Sequence, residues 1–288
     1  MRIAYLGPAG TFSEDALRDG PFGVDQFEPV LCDTISAVVE AIGAGKADRA
    51  LAPIENSIEG SVRGTLDGLV TEAESVAILG EYDHGIRSAL IARSPLRPEQ
   101  IEVVISHPQP LAQCARFLKQ ELSDAEIRVA ESTSSAALKV SRSDLPWAAL
   151  APTSAARIYG CEVLREGIED EPGNVTRFVW LGPRGTAAEA TAEAGGAWKT
   201  TLVFSELGAD HPGALVDALV EFSKRRINLA RIESRPLRRE LGRYRFFLDV
   251  EGHEDDPGVA EAISALRSKA ESVKVLGTYP GSATGPPA

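Results

Sequence analysis

At 288 residues the chain is long enough for two domains, and a hydrophobic content of 43% marks it as folded rather than disordered. Thirty basic residues against 42 acidic ones leave a net charge of −12, which argues against nucleic-acid binding because phosphates need a broad positive face. Cys32, Cys114 and Cys161 are far apart with no CxxC pair, and the four histidines lack HxxxH or HExxH spacing, so neither a disulfide framework nor a metal site is expected. The N-terminus shows no signal-peptide pattern and no apolar run reaches about 18 residues, which predicts a cytoplasmic protein without a membrane partner.

Arg2–Leu6 reads as a strand that ends in Gly7-Pro-Ala-Gly10, with a helix beginning near Thr11 or Ser13. Helical spacing follows over Thr34–Ala44, and Ala50–Ile54 reads as a strand. Val76–Tyr82 and Ile86–Ala92 form two extended runs separated only by Asp83-His84-Gly85, a double strand suited to carrying the chain between two lobes. In the second lobe, Ile101–Ser106, Ile127–Ala130 and Ala148–Ala151 read as strands, with helices over Gln109–Leu122, over Ser135–Val140 and from near Thr153. Such alternation predicts parallel sheets covered on both faces, and a return crossing is expected near Val163–Gly167. The lobes are therefore expected to be 1–78 with 162–182, and 79–161.

Residues 183–198 are rich in Ala, Gly, Glu and Thr, lack an apolar period and read as a linker; 281–288 reads as a tail. Between them, over 199–280, strands at Thr201–Leu207, Leu229–Pro236, Tyr244–Gly252 and Val273–Tyr279 alternate with helices at Gly213–Arg226 and Val259–Lys269. That order, βαββαβ, is a ferredoxin-like unit.

Five polar segments stand where α/β folds place ligands, at strand ends and helix starts. Gly7-Pro-Ala-Gly-Thr-Phe-Ser13 offers the hydroxyls of Thr11 and Ser13 beside helix N–H groups; it also reads as a glycine turn with a cap. Pro53-Ile-Glu-Asn-Ser57 offers Glu55 as acid or acceptor and Asn56 and Ser57 as donors, or else a polar loop. Ser106-His-Pro-Gln109 with Gln113 repeats the arrangement, His107 reading more readily as a cap than as a base. Glu131-Ser-Thr-Ser-Ser135 is a carboxylate cradle or a set of redundant caps. In Asn174-Val-Thr-Arg-Phe178, Arg177 has the fork that grips a carboxylate, and equally the character of a surface arginine.

Taken together these segments resemble prephenate dehydratases over essentially the entire chain. The resemblance rests on Gly7–Ser13, Glu55-Asn-Ser57, Ser106–Gln109 with Gln113-Cys114, Glu131-Ser-Thr133 and Thr176-Arg-Phe178. Gly213-Ala-Leu-Val216 and Glu233-Ser-Arg-Pro236 are similar to the two phenylalanine-binding motifs of that family's ACT domain. The resemblance implies a two-lobed α/β catalytic domain like a periplasmic binding protein, followed by an ACT domain. It implies conversion of prephenate to phenylpyruvate, water and carbon dioxide without a cofactor, feedback inhibition by L-phenylalanine, and a homodimer or homotetramer. No helical region for a chorismate mutase precedes it, so a single activity is expected.

From the family, Thr176 inherits the catalytic part; on chemical grounds a carboxyl, Glu55 or Glu131, is expected to deliver the proton. A threonine hydroxyl, whose pKa lies far above neutrality, serves better as a hydrogen-bond donor to the leaving hydroxyl than as the acid. Thr11, Ser13, Asn56, Ser57, Ser106, Gln113, Thr133, Arg177 and Phe178 are expected to bind substrate, Arg177 supplying positive charge. Gly213, Ala214, Leu215, Val216, Asn228, Leu229, Glu233, Ser234, Arg235 and Pro236 are expected to bind phenylalanine. Leu237–Gly242 lacks the proline and tryptophan often found there. Arogenate dehydratase is the neighbouring enzyme reading, and a non-catalytic amino-acid sensor the reading from another class.

Overall fold

The computed structural model describes residues 1–20, 27–188, 198–207, 212–237 and 242–282. The chain opens with β1 (Arg2–Leu6), α1 (Phe12–Asp19), β2 (Glu28–Cys32), α2 (Ile35–Gly43), β3 (Arg49–Asn56), β4 (Gly60–Ser61), α3 (Arg63–Thr71) and β5 (Val76–Gly85). A second group comprises β6 (Ala89–Ala92), β7 (Val103–Ser106), α4 (Pro108–Gln113), α5 (Ala115–Glu121), β8 (Glu126–Val129), α6 (Thr133–Ser141), β9 (Trp147–Ala151), α7 (Thr153–Tyr159) and β10 (Glu162–Glu166). The chain then returns through β11 (Val175–Pro183) and ends with β12 (Trp198–Ser205), α8 (Ala214–Ser223), β13 (Leu229–Pro236), β14 (Tyr244–Glu251), α9 (Pro257–Arg267) and β15 (Ser272–Pro280).

Three sheets result, ordered β2-β1-β3-β11-β5 with β4 on β3, β10-β6-β9-β7-β8, and β13-β14-β12-β15. The first two are mixed rather than wholly parallel. β11 runs antiparallel to both β3 and β5, because it enters the first sheet directly from the other lobe without a covering helix. The double strand is present as β5 and β6, which lie in different sheets. Their break at residues 86–88 is one crossing between lobes. Both crossings come later than expected, residues 79–85 lying in β5 of the first sheet and not in the second lobe. β10 pairs antiparallel with β6, so residues 162–166 belong to the second lobe, and the chain returns over 167–174. The helix expected over Gln109–Leu122 is two, meeting at Cys114, whose φ of −115° and ψ of 22° depart from helical values.

The third sheet has the predicted βαββαβ order and is antiparallel throughout. It does not hang free. Val203, Phe247, Leu276 and Tyr279 share one buried cluster with Val38, Val39, Leu66, Leu69, Val179 and Leu181 of the first lobe. A Cβ added to Gly277 of β15 would lie 2.3 Å from the carbonyl oxygen of Ile78 in β5, so the two backbones meet where only a glycine fits. The ends of the expected linker belong to strands, with Pro183 closing β11 and Trp198 opening β12. Residues 189–197 of that linker, and 283–288 of the expected tail, lie outside the described residues. Ser282 is held, its backbone N–H donating to Glu81 at 2.8 Å. No helix among the described residues is long and apolar enough to cross a membrane.

Candidate active site

A cleft of about 430 Å³ opens between the two lobes, a size that suits a small organic ligand. Thr11 and Ser13 at the start of α1 line one side, and Ser132 and Thr133 at the start of α6 line the other. The Ser132 hydroxyl accepts from Ser135 N, whereas the Thr11 hydroxyl donates to Leu6 O and so caps nothing in its own helix. Helix N-termini carry unpaired N–H groups and partial positive charge, which suits a carboxylate on either side. His107 also lines the cleft, and its Nδ1 accepts from Gln109 N at 3.3 Å, so it caps α4. Among the described lining residues there is no lysine or arginine; Asp33, Glu59 and Glu131 contribute acid. What this cleft offers an anion is N–H and O–H donors.

Thr176 and Phe178 reach the cleft from alternate positions of β11. Thr176 is 8% exposed, and its Oγ1 accepts a hydrogen bond of 2.9 Å from Asn56 Nδ2. That leaves the threonine proton free to point at a ligand. Asn56 is fixed in turn by its Oδ1, which accepts from the backbone N–H groups of Ile58 and Glu59, both at 3.0 Å. Its approach depends on a bulge. Glu55 pairs with Arg177 but Pro53 pairs with Phe178, so Ile54 is an extra residue, and both Pro53 and Asn56 come to face the cleft.

Several predicted site residues lie elsewhere. Arg177 does not bring positive charge to the cleft, because strand alternation turns it to the opposite face from Thr176. There its Nε lies 2.9 Å from Asp83 and 3.9 Å from Glu81, and its Nη1 lies 3.4 Å from Glu55. Burial alone would lower the guanidinium's pKa, but the hydrogen bond to Asp83 and the three carboxylates raise it. Glu55, the partner of Arg177, is likewise outside the cleft lining. Ser57 is exposed, and its hydroxyl accepts from Val175 N, which secures the start of β11. Ser106 is fully buried and donates to Leu150 O, tying β7 to β9. Gln113 and Glu131 do line the cleft.

In the C-terminal domain, Gly213 adopts φ 93° immediately before α8. Val216, Asn228 and Leu229 line a surface pocket with Leu219, Ser223 and Ile227. Arg235 points inward instead, its Nη2 2.7 Å from Asp67 of α3 in the first lobe.

A family model described as prephenate dehydratase matches residues 3–186, and one described as the ACT domain matches residues 202–268. The chain belongs to the prephenate dehydratase family. It is 40% identical to the prephenate dehydratase of Mycolicibacterium vanbaalenii over 96% of this chain and 90% of that one. With that of Mycolicibacterium smegmatis it shares 41% identity, covering 99% and 93%. The crystal structure of prephenate dehydratase from Arthrobacter aurescens in complex with L-Phe superposes with a TM-score of 0.88 at 37% identity, covering 100% of this chain and 92% of that one. A structure described as GqqA, a novel type of quorum quenching acylase, superposes at 0.85 with 29% identity, covering 98% and 99%.

Within this prephenate dehydratase frame, reading the sequence missed Asn174. It is 5% exposed, precedes β11 where the chain re-enters the first lobe, and bonds to both Asn56 and Gln113. The signal was present, since Asn174 heads the segment that carries Thr176, but nothing in a single sequence tells a bridging amide from a turn residue. Glu59 and Asp33 were missed for a plainer reason: both sit in turns whose direction only the fold fixes.

Proposed function

We propose that the interlobe cleft converts prephenate to phenylpyruvate, carbon dioxide and water. The observation that carries the reading is Thr176 Oγ1 held as an acceptor by Asn56, between two helix N-termini from different lobes. Prephenate brings two carboxylates and a ring hydroxyl. Loss of carbon dioxide sends the C–C bonding pair into the ring, the ring becomes aromatic, and the C–O pair leaves with the hydroxyl. One proton completes the water. In this reading the starts of α1 and α6 receive the carboxylates, Thr176 donates to the departing oxygen, and Glu131 is the proton source. Glu55 has no part in it, being tied to Arg177 on the far face. No cofactor enters this reaction.

The ACT domain binds L-phenylalanine in this proposal, with Val216, Asn228 and Leu229 around it and Gly213 allowing close approach. Paired ACT domains in a homodimer or homotetramer would complete that site. Support comes from the pocket at those residues and from the L-Phe in the Arthrobacter relative.

Purified protein is to be given prephenate, and phenylpyruvate followed with and without L-phenylalanine, with arogenate as the competing substrate. Turnover of prephenate that falls by roughly 100-fold or more in Thr176→Val, the scale of losing one preorganised donor, is expected. Turnover of arogenate alone, or of neither, overturns the assignment.

A further inference from the structure

Four polar side chains run from one lobe to the other: Thr176 and Asn56 in the first, Asn174 at the crossing, Gln113 in the second. Their hydrogen-bond directions are not free to vary. Backbone N–H groups of Ile58 and Glu59 can only donate, so the Asn56 atom facing them is Oδ1 and its other end is the amide nitrogen. That nitrogen donates to Thr176 Oγ1 at 2.9 Å and to Asn174 at 2.7 Å, so the Asn174 atom it meets is Oδ1. Asn174 therefore presents Nδ2 to Gln113, at 3.2 Å, and the Gln113 atom it meets is Oε1. Gln113 is left with Nε2 as its remaining polar end. That nitrogen is buried without a partner among the described residues, on a side chain that lines the cleft.

The backbone of Asn174 is held as firmly as its side chain. Ile86 N donates to its carbonyl at 2.8 Å, which clamps the two crossings between lobes against each other. Asp170 N donates to the Gln113 carbonyl at 2.7 Å, anchoring the end of α4 on the return segment.

We propose that Asn174 is a positioning residue that sets the polarity of the cleft: it forces the Gln113 amide to offer its NH₂ group, not its carbonyl, to an anionic substrate. The proposal rests on the dehydratase reading given above. A cleft lined by no described cation needs every donor it has. An amide turned the other way would set a carbonyl dipole against a carboxylate and remove a donor in one step.

Asn174→Asp tests this with almost no change of shape. The ionised carboxylate still accepts from Asn56, so Thr176 keeps its partner, but it can no longer donate to Gln113 Oε1. Gln113 then turns its NH₂ to the new carboxylate and its carbonyl to the substrate. We expect KM for prephenate to rise by roughly 10- to 150-fold with kcat changed far less, the scale of losing one hydrogen bond to a charged group that is made equally in the ground and transition states. The ratio of variant to wild-type kcat/KM should climb as pH is lowered, because a protonated aspartate both donates and accepts as asparagine does. Gln113→Glu is the second variant: it keeps the acceptor that Asn174 needs and replaces the free nitrogen by oxygen, so it should reproduce the KM effect. A folded Asn174→Asp protein with wild-type KM and a pH-independent ratio overturns the proposal, as does a Gln113→Glu protein with wild-type KM. A wild-type protein that leaves prephenate untouched sinks the dehydratase reading instead, which keeps the two failures apart.

Discussion

Lys199 Nζ lies 2.6 Å from Glu81 Oε1, and the two residues belong to different domains, one the second residue of β12 in the ACT domain and the other lying in β5 of the first lobe. Their side chains are 9% and 1% exposed. Removing one member of a buried pair costs about 3–5 kcal/mol where the other charge is left uncompensated. Here the cost is about 3 kcal/mol or less, because Glu81 keeps Arg177 at 3.9 Å and the Ser282 N–H at 2.8 Å. Lys199→Met should therefore lower the urea-unfolding free energy by that amount, and adding Glu81→Gln should return part of it. Equal stabilities for wild type and Lys199→Met would mean that the pair contributes nothing across the boundary.

Gly277→Ala adds a single methyl where a Cβ would sit 2.3 Å from Ile78 O and 2.8 Å from Ile78 Cβ. Alanine ordinarily favours a strand over glycine, so a surface site would gain stability. Here β15 must move off β5, and overpacking of this kind costs about 1–3 kcal/mol. Thermal unfolding should show a lower Tm; a Tm equal to that of wild type would mean that β15 and β5 do not meet this closely.

Gly10 and Tyr159 join the lobes beside the cleft. The Tyr159 hydroxyl donates to Ala9 O at 2.7 Å, and Gly10 sits at φ 80° with Ala155 and Tyr159 3.3 Å from where a Cβ would be. Gly10→Ala is strained on both counts, by about 1–2 kcal/mol from the left-handed backbone alone. Tyr159→Phe loses one hydrogen bond, worth about 1 kcal/mol. Both should raise KM for prephenate; an unchanged KM in Gly10→Ala would show that this contact does not shape the cleft.

His84 is buried against Phe178, their ring centroids 6.3 Å apart, and burial holds its imidazole below the ordinary value of 6.5. The folded state therefore stays neutral at a pH where the unfolded chain takes up a proton. Stability is then fully present above 6.5 and is lost as pH falls below it. The Tm of wild type should drop on acidification through that window, and His84→Leu should drop less. Parallel pH dependences in the two proteins would assign the loss to other groups.

Much of this was legible in the sequence because its signals are local. The βαββαβ unit follows from period and spacing, and the double strand β5–β6 follows from two extended runs with three residues between them. What failed was anything that depends on which way a strand faces. Glu55, Asn56 and Ser57 are consecutive, as are Thr176, Arg177 and Phe178, and consecutive strand residues cannot all face one cleft. Alternation alone would have separated Arg177 from its neighbours. It would not have placed Asn56, because the extra residue at Ile54 shifts the phase, and a bulge leaves no mark in composition. The late return crossing escaped for a related reason: β10 is an exposed edge strand, and its residues carry no core pattern.

β11 has two working sides. Thr176 and Phe178 front the cleft, while Arg177, one residue along, sits in the cluster of Glu55, Glu81 and Asp83 that Lys199 and Ser282 also join. The wall of the reaction chamber and the seat of the regulatory domain are thus the two surfaces of one ribbon. Between the cleft and the ACT domain stand that one strand and the side chains on its two faces. A tilt of that strand is felt on both sides at once.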